Sequence, residues 1–186
     1  AIFSLRGKPE NMYGKKRAEI YKNDELYQLM MALGIENDVA DLKYSKIVIA
    51  SDADNDGFHI RNLLLTFFLS FFEELITSGR IFILETPLFR VRNKKENIYC
   101  YTEAERDEAQ KKLGKSCETS RFKGLGEINP SEFRQFIAPE TMHLTPVEIS
   151  QLKVVPQLLA FYMGKNTPER RKFIEENLLS NAEIDA

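Results

Sequence analysis

Apolar residues in this chain form short runs of strand length and longer runs of helical length. Residues 46–50 and 80–85 are short, isoleucine-rich runs, which predict two buried strands. Residues 59–77, between them, are apolar on almost every side, which predicts a helix buried over most of its surface. The order strand, helix, strand predicts a β-α-β unit and therefore a sheet that is at least partly parallel.

The flanking segments carry their own boundary signals. Asn23 is an N-cap residue before leucines at helical spacing, and Gly34 is expected to end that helix. Residues 88–92 and 97–101 flank a lysine-rich turn and predict a hairpin, with a further strand over 118–122.

Capping residues and prolines mark the remaining helices. Thr102 and Glu105 form a capping box, which predicts a helix that ends at Gly114. From residue 127 the chain is predicted to be helical, and Pro156 begins a helix that ends at Gly164. Three further helix starts pair an N-cap residue with a proline at the first helical position: Asn129–Pro130, Thr145–Pro146 and Thr167–Pro168.

Length and composition indicate one globular domain with an appendage. The chain has 186 residues, of which 43% are hydrophobic, enough for a core. We predict a domain over residues 1–140 and a helical tail over 141–186. Cys100 and Cys117 lie far apart without a C-x-x-C motif, which argues against structural zinc and fits a reducing cytoplasm.

No stretch predicts secretion or membrane insertion. The N-terminus lacks the apolar segment of a signal peptide. The most apolar run, residues 63–72, falls short of the roughly 20 residues that span a bilayer. We therefore expect a cytoplasmic protein.

Basic residues are concentrated in patches although the net charge is only −2. The first 22 residues are predominantly basic, residues 90–95 form a second cluster, and residues 111–123 form a third. Such patches are typical of a surface that meets a polyanion. Ordinary solvated faces remain the alternative for each cluster.

Three alternating aspartates follow the first predicted strand. Asp52, Asp54 and Asp56 precede Gly57 at the carboxyl end of that strand, where ligands bind in open α/β sheets. If the chain stays extended, alternate side chains point the same way and the carboxylates converge. Closely spaced carboxylates repel one another without a cation, and their hard oxygens suit Mg²⁺ or Mn²⁺.

Two other interpretations of the aspartates are possible. A calcium-binding EF-hand loop would need a glutamate at position 63, which is Leu63, and a helix rather than a strand before the loop. A solvated acidic turn would also use Asp and Asn, but it does not require strict alternation after a core strand.

Other polar residues are weaker candidates. His59 could reach a phosphate or bond locally at a helix start, and Arg6 and Lys8 could contact a nucleic-acid backbone or simply be solvated. Tyr162 lies in an apolar helix without a nearby base, so we expect it to pack in the core rather than act as a nucleophile.

Several motifs, in chain order, resemble the B subunit of bacterial type IIA topoisomerases. The tail over residues 161–174 resembles the end of that protein as well. The resemblance is carried by Leu5-Arg6-Gly7-Lys8, by residues 47–61 with their D-x-D-x-D-G motif, by Pro87-Leu88-Phe89, and by Lys123-Gly124-Leu125-Gly126-Glu127.

The resemblance implies a fold and a set of site residues. The fold would be α/β, a Rossmann-like TOPRIM domain with a mainly parallel sheet flanked by helices, plus an α-helical C-terminal tail. Asp52, Asp54 and Asp56 would bind Mg²⁺, with Asp52 and Asp54 catalytic, and Mn²⁺ or Ca²⁺ could replace Mg²⁺ in binding. The DNA-binding candidates are then Arg6, Lys8, His59 and Lys123.

The resemblance also implies that other parts complete the enzyme. A further metal-binding glutamate and an ATP-hydrolysing domain are expected upstream of Ala1, so metal binding by this chain alone should be weak. The nucleophilic tyrosine would come from the A subunit in an A2B2 heterotetramer that acts on double-stranded DNA in the bacterial nucleoid. The chain alone should cleave no DNA.

Alternatives remain within and beyond this family. Residues 161–174 favour the topoisomerase IV branch, which decatenates and relaxes DNA, over gyrase, which introduces negative supercoils. Another TOPRIM protein, such as a primase or nuclease, would share the aspartates but should lack the Arg6–Lys8 and Lys123–Glu127 motifs. A metal-stabilised DNA-binding module without cleavage activity is the non-enzymatic alternative.

Overall fold

The computed structural model describes residues 1–114, 116–122 and 124–178, and the structural statements below refer to these residues. The strands are β1 (Ile47–Ile49), β2 (Ile81–Glu85), β3 (Phe89–Arg92), β4 (Asn97–Cys100), β5 (Glu118–Arg121) and β6 (His143–Pro146). The α-helices are α1 (Asp24–Leu33), α2 (Asn55–Phe71), α3 (Glu73–Thr77), α4 (Glu103–Leu113), α5 (Pro130–Phe136), α6 (Val155–Met163) and α7 (Thr167–Asn177).

The first sheet has the order β1-β2-β6. Strands β1 and β2 are parallel, with Ile47 opposite Ile81 and Ile49 opposite Ile83, and α2 and α3 form the connection between them. The predicted β-α-β unit is therefore confirmed. Strand β6 pairs antiparallel with β2, so the sheet is mixed.

The predicted helix start at Thr145–Pro146 is wrong, because both residues lie in β6. Pro146 pairs opposite Phe82 at the last position of the strand. Proline lacks an N–H but is accepted on an edge strand, where its nitrogen need not donate to the ladder. The next residue, Val147, resumes the pattern by donating its N–H to the carbonyl oxygen of Ile81 at 2.9 Å.

The second sheet has the order β4-β3-β5 and is antiparallel throughout. Strands β3 and β4 form the predicted hairpin, and helix α4 packs against both. The cap of α4 is as predicted, since the N–H of Glu105 bonds the Thr102 hydroxyl at 3.2 Å. The α/β fold class is confirmed.

The main core forms around α2. Phe67, Phe68 and Phe72 are fully buried there, in agreement with the predicted burial of the 59–77 segment. The single helix predicted over 59–77 is instead two helices, α2 and α3, with Phe72 between them at φ −142°. Helix α2 also begins at Asn55 rather than near His59, because Asp54 acts as its N-cap.

The tail helices α6 and α7 pack on each other, and the end of α6 contacts the N-terminal segment. The side-chain amide of Asn11 donates to the carbonyl oxygen of Met163 at 2.9 Å. The Arg170 guanidinium donates to the carbonyl oxygens of Tyr162 and Gly164 at the end of α6. The boundary at residue 140 stays a prediction, and β6, which follows it, belongs to the first sheet.

The environment of Tyr162 differs from the predicted core position. Its side chain is 52% exposed, and its ring contacts Phe161 and Phe173 edge to face. Helix α6 is only two and a half turns long and packs on one side, so a residue on its outer side stays in solvent. No helix within the described ranges is both long and apolar enough to cross a membrane.

Candidate metal centre

The aspartates lie between the carboxyl end of β1 and the start of α2. Ser51, directly before them, is buried, and Asp52 is half-buried. Asp54 has an extended backbone, with φ −126° and ψ −179°, and the helix begins at Asn55. This is the edge of a parallel pair at which α/β proteins bind ligands.

Asp54 caps helix α2. Its Oδ1 accepts the N–H of Gly57 at 2.7 Å, which satisfies one of the free donors of the first turn. The carboxylate is therefore held at the positive end of the helix dipole, where a negative charge is stabilised. The same bond fixes the side-chain rotamer, so the direction of the other oxygen, Oδ2, is fixed as well.

Gly57 brings the helix into direct contact with Asp52. A Cβ atom at position 57 would lie 1.9 Å from the carbonyl oxygen of Asp52 and 2.9 Å from its backbone nitrogen. Only glycine leaves room for this approach. Gly57 thus contacts the backbone of Asp52 and also donates its N–H to the side chain of Asp54. The two acidic residues are therefore neighbours of the same glycine.

The Asp52 carboxylate contacts the glycine-rich loop far away in the sequence. Its Oδ1 accepts the N–H of Leu125 at 2.7 Å. The neighbouring Gly124 packs against the same carboxylate. The glycine-rich sequence marks this loop as unusual, but no signal in a single sequence connects positions 52 and 125.

Asp56 points in another direction because it lies in the first turn of α2. Its side chain is 74% exposed and accepts a hydrogen bond from Nζ of Lys8 at 2.6 Å. That bond and the charge of Lys8 hold the pKa of Asp56 below its usual value, with a smaller effect from His59. The extended geometry that would make all three aspartates converge ends at Asp54.

The structure shows two acidic residues that both contact Gly57 rather than a closed cage of carboxylates. Across residues 1–114, 116–122 and 124–178, no three His, Cys, Asp or Glu side chains are grouped so that they could hold a metal ion. Mg²⁺ is usually bound through one or two carboxylates together with water and phosphate oxygens. Asp52 and Asp54 fit that type of site, and the role of Asp56 as a third ligand stays a prediction.

Two of the predicted DNA-binding residues, Lys8 and His59, lie at the start of α2. The backbone N–H of Arg6 donates to Glu25 at 2.6 Å, which orders the segment before Lys8. Lys8 reaches Asp56, and His59 is exposed on the first turns of the helix. Lys123 lies outside the described residues. These four assignments stay predictions.

Arg61 is a basic residue of this surface that sequence reasoning did not single out. It lies one turn after Gly57 and its guanidinium stacks over the Phe58 ring at 5.2 Å. Its Nε atom is buried without a hydrogen-bond partner in the described part of the chain. A buried donor without an acceptor is costly, so Arg61 is a candidate for an incoming anion. The signal was present, since Arg61 belongs to the motif that follows the aspartates.

Two of the four basic residues of the second cluster are paired with carboxylates within the fold. Arg90 pairs with Glu132 at 2.7 Å, and both side chains are about 15% exposed. Arg92 pairs with Glu118 at 2.7 Å on the surface. These two cations of the cluster are neutralised within the fold, so it offers less charge to a polyanion than its sequence suggests.

Asp54 and Asp56 are exposed to solvent, and Asp52 is half-buried beside them. A cavity of about 360 Å³ lies at the opposite end of the sheet, between residues 39–45 and the turn that enters β2. None of the three aspartates lines it. An open carboxylate site with basic neighbours is accessible to a large polyanionic substrate, whereas an enclosed pocket would be limited to small molecules.

Two family profiles match the chain. The "Toprim domain" profile matches residues 1–86, which include the aspartates, α2 and β2. The profile of the "DNA gyrase B subunit, carboxyl terminus" matches residues 114–175, which include the glycine-rich loop and the tail helices α6 and most of α7.

Curated relatives match over nearly the whole chain. The B subunit of DNA topoisomerase 4 from Borreliella burgdorferi is 62% identical over 179 residues, which cover 96% of this chain and 30% of the relative. The B subunit of DNA gyrase from Thermotoga maritima is 36% identical over 191 residues, covering 100% of this chain and 30% of the relative. The chain thus spans about 30% of the length of these relatives.

A solved structure supports the fold. The DNA-binding, cleavage and re-ligation domain of Plasmodium falciparum topoisomerase II superposes with a TM-score of 0.78 at 23% identity. The match covers 94% of this chain and 25% of that structure. With a Toprim domain, a gyrase-type carboxyl terminus and a relative of 62% identity, the chain belongs to the family of bacterial type II DNA topoisomerase B subunits.

Proposed function

We propose that this chain forms the Mg²⁺-binding half of the DNA cleavage–religation centre of an ATP-dependent type II topoisomerase. The observation that carries the proposal is the arrangement of Asp52 and Asp54 around Gly57, within the Toprim match. Two oriented carboxylates at a helix N-terminus, open to solvent and beside basic residues, suit a cation that is shared with a DNA phosphate.

The residues of the chain have defined tasks in this proposal. Asp52 and Asp54 hold the cation through carboxylate oxygens, with Asp56 as the third predicted ligand. When bound, Mg²⁺ (or Mn²⁺ in its place) supplies Lewis-acid stabilisation of charge at the phosphate and the leaving 3′-oxygen. Contacts from Arg6, Lys8, His59 and Lys123 orient the DNA backbone, and such contacts position the duplex without specifying its sequence.

The other half of the reaction is assigned to a partner. A tyrosine of the A subunit attacks the phosphodiester, and the reverse reaction reseals it after a second duplex has passed. We propose an A2B2 assembly that acts on double-stranded DNA in the bacterial cytoplasm, with ATP hydrolysed by another domain of the protein to which this chain belongs. The chain alone is expected to cleave no DNA.

Within the family we favour topoisomerase IV over gyrase. The chain is 62% identical to the B subunit of a topoisomerase 4, against 36% for that of Thermotoga maritima gyrase, which supports this choice. The gyrase-type carboxyl terminus favours either over a primase or a nuclease. The complete complex should then decatenate and relax DNA. Negative supercoiling of relaxed plasmid would instead assign it to gyrase.

Conservative substitutions in the complete A2B2 complex test the proposed role of the carboxylates. Asp52→Asn and Asp54→Asn keep the size of each side chain but remove its charge. We expect covalent cleavage complexes on plasmid DNA to fall by at least about 100-fold, since each change removes a metal ligand. DNA binding should stay near the wild-type level. Undiminished cleavage would contradict the proposal, whereas lost binding with intact cleavage chemistry would support a DNA-binding module.

A further inference from the structure

The Asp52 carboxylate accepts a hydrogen bond from a residue of the segment that matches the gyrase-type carboxyl terminus, outside the segment that matches the Toprim profile. We infer that the backbone amide of Leu125, together with the close approach of Gly124, positions Asp52 for metal binding. The inference rests on the proposed function. It assigns Gly124 and Leu125 as positioning residues. The metal site would then need residues from both profile matches: the aspartates from residues 1–86 and the positioning loop from residues 114–175.

Two contacts define this arrangement. The N–H of Leu125 donates to Oδ1 of Asp52 at 2.7 Å. A Cβ atom on Gly124 would lie 3.0 Å from Oδ2, 3.2 Å from Cγ and 3.3 Å from Oδ1 of the same carboxylate. The loop backbone therefore bonds one oxygen, and position 124 leaves no free space for a side chain beside the other.

Gly124 is needed for space and not for an unusual backbone conformation. Its φ of −147° and ψ of 161° are open to any residue. Gly126, two residues later in the same loop, has no atom within 4 Å of the Cβ position. Substitution of Gly124 should therefore affect Asp52, whereas substitution of Gly126 reports only a general effect on the loop.

The loop is held in place independently of Asp52. Phe122 and Ile128, on either side of it, are 7% and 6% exposed and pack with Phe136 of α5 in one cluster. The N–H of Phe122 donates to the carbonyl oxygen of Leu88 at 2.8 Å. The guanidinium of Arg90 lies 5.7 Å from the centre of the Phe122 ring.

A loop anchored in this way can impose an orientation on a flexible carboxylate. A hydrogen bond from a fixed N–H to one oxygen of a ligating carboxylate orients the other oxygen towards the cation. Losing such a supporting contact typically weakens metal affinity by about 10–100-fold. Leu125 donates its N–H to Oδ1 of Asp52. A methyl group added at position 124 would press on the other oxygen, Oδ2.

The test compares Gly124→Ala with Gly126→Ala in the complete A2B2 complex without nucleotide. Mn²⁺ affinity is measured by electron paramagnetic resonance, together with DNA binding and the melting temperature. We expect Gly124→Ala to weaken Mn²⁺ binding about tenfold without changing the other two readouts. Gly126→Ala should match the wild type. Equal Mn²⁺ affinity in Gly124→Ala and wild type, or equal losses in both variants, would overturn the inference.

A second measurement needs no metal. Amide hydrogen exchange of Leu125 is compared in the metal-free complexes of the wild type and Asp52→Asn. A bond to a charged carboxylate is stronger than one to a neutral amide, so exchange at Leu125 should be several-fold faster in the variant. Unchanged exchange would overturn the inference even if Gly124→Ala failed to fold. If the wild type bound no Mn²⁺, the proposed function would fail, and the exchange result would still decide whether Leu125 holds Asp52.

Discussion

At the scale of single residues, the site depends on glycines that permit close approach. Gly57 allows α2 to start against the backbone of Asp52, and Gly124 allows the loop to rest on its carboxylate. Neither position has a positive φ, so the requirement is for space. Glycines of this kind cannot be recognised from one sequence, because the atoms that they avoid come from residues elsewhere in the fold.

Replacement of Gly57 should show this requirement most strongly. In Gly57→Ala the methyl group would meet the Asp52 carbonyl oxygen at 1.9 Å, so the start of α2 must shift. We expect a loss of about 3 kcal/mol or more in the free energy of unfolding, measured by urea denaturation. Gly126→Ala should change it by less than about 0.5 kcal/mol. A small effect of Gly57→Ala would mean that the helix does not rest on Asp52.

Asp54 is the N-cap of α2 and is also proposed to bind the metal, and substitution can separate these two roles. As the N-cap it needs an oxygen acceptor, which asparagine also provides, whereas a metal ligand needs the negative charge. Asp54→Asn should therefore keep near wild-type stability and lose Mn²⁺ affinity. Asp54→Ala should lose that affinity and also about 1 kcal/mol of stability in thermal unfolding. Equal stability of the two variants would contradict the capping role.

At the scale of elements, the pair Arg90–Glu132 joins β3 to α5. Both side chains are mostly buried, and the Tyr99 side chain of β4 lies near Glu132. Burial raises the pKa of Glu132, but the hydrogen bond from Arg90 and the nearby Tyr99 hydroxyl outweigh it, so that the pKa lies below the usual 4.5. Burial and the neighbouring Glu132 carboxylate raise the pKa of Tyr99. The pair thus fixes the helix that follows the glycine-rich loop.

The lowered pKa predicts a pH dependence of stability. A carboxyl group with a lower pKa in the folded state contributes its full stabilisation above the unfolded pKa of about 4.5, and loses it as the pH falls through the folded value. Glu132→Gln should abolish this contribution, so its free energy of unfolding should fall less than that of the wild type between about pH 5 and pH 3. Urea denaturation over that range measures the difference.

Neutral pH provides a second comparison for the same pair. Glu132→Gln leaves Arg90 without a charged partner in a buried position, which should cost about 3 kcal/mol. Glu118→Gln is the matched control, because Glu118 is 69% exposed beside Arg92 and such surface pairs contribute little. Equal effects of the two substitutions would mean that the Arg90–Glu132 pair is not the stronger anchor.

Elements with local signals could be predicted, and those that depend on tertiary pairing could not. The hairpin and the α4 capping box are visible as contiguous patterns and are confirmed. Strand β6 was missed because Thr145–Pro146 matches a helix start locally, and only its pairing with β2 makes it a strand. Helix α2 begins at Asn55, and Asp54 is a residue type that commonly caps a helix. The alternation of the aspartates instead favours an extended chain at the same positions, so the sequence alone does not decide where the helix begins.

At the scale of the whole molecule, the part of the chain that matches the Toprim profile and the carboxyl-terminal part meet along the β2–β6 pairing and at the Asp52–Leu125 contact. The family and the α/β fold were predictable because several motifs occur in a fixed order along the chain. The contact itself was not predictable, since it joins positions 73 residues apart. The site is thus assembled from two family domains, and the proposed reaction adds DNA and an A subunit.

The most direct test of the central claim is to locate the cation. Crystals of the complete A2B2 complex with duplex DNA, grown in Mn²⁺, would be measured at the manganese absorption edge. We predict an anomalous peak within about 2.5 Å of carboxylate oxygens of Asp52 and Asp54 and close to a DNA phosphate. A fully occupied Mn²⁺ at the cleavage site that contacts neither Asp52 nor Asp54 would contradict the claim.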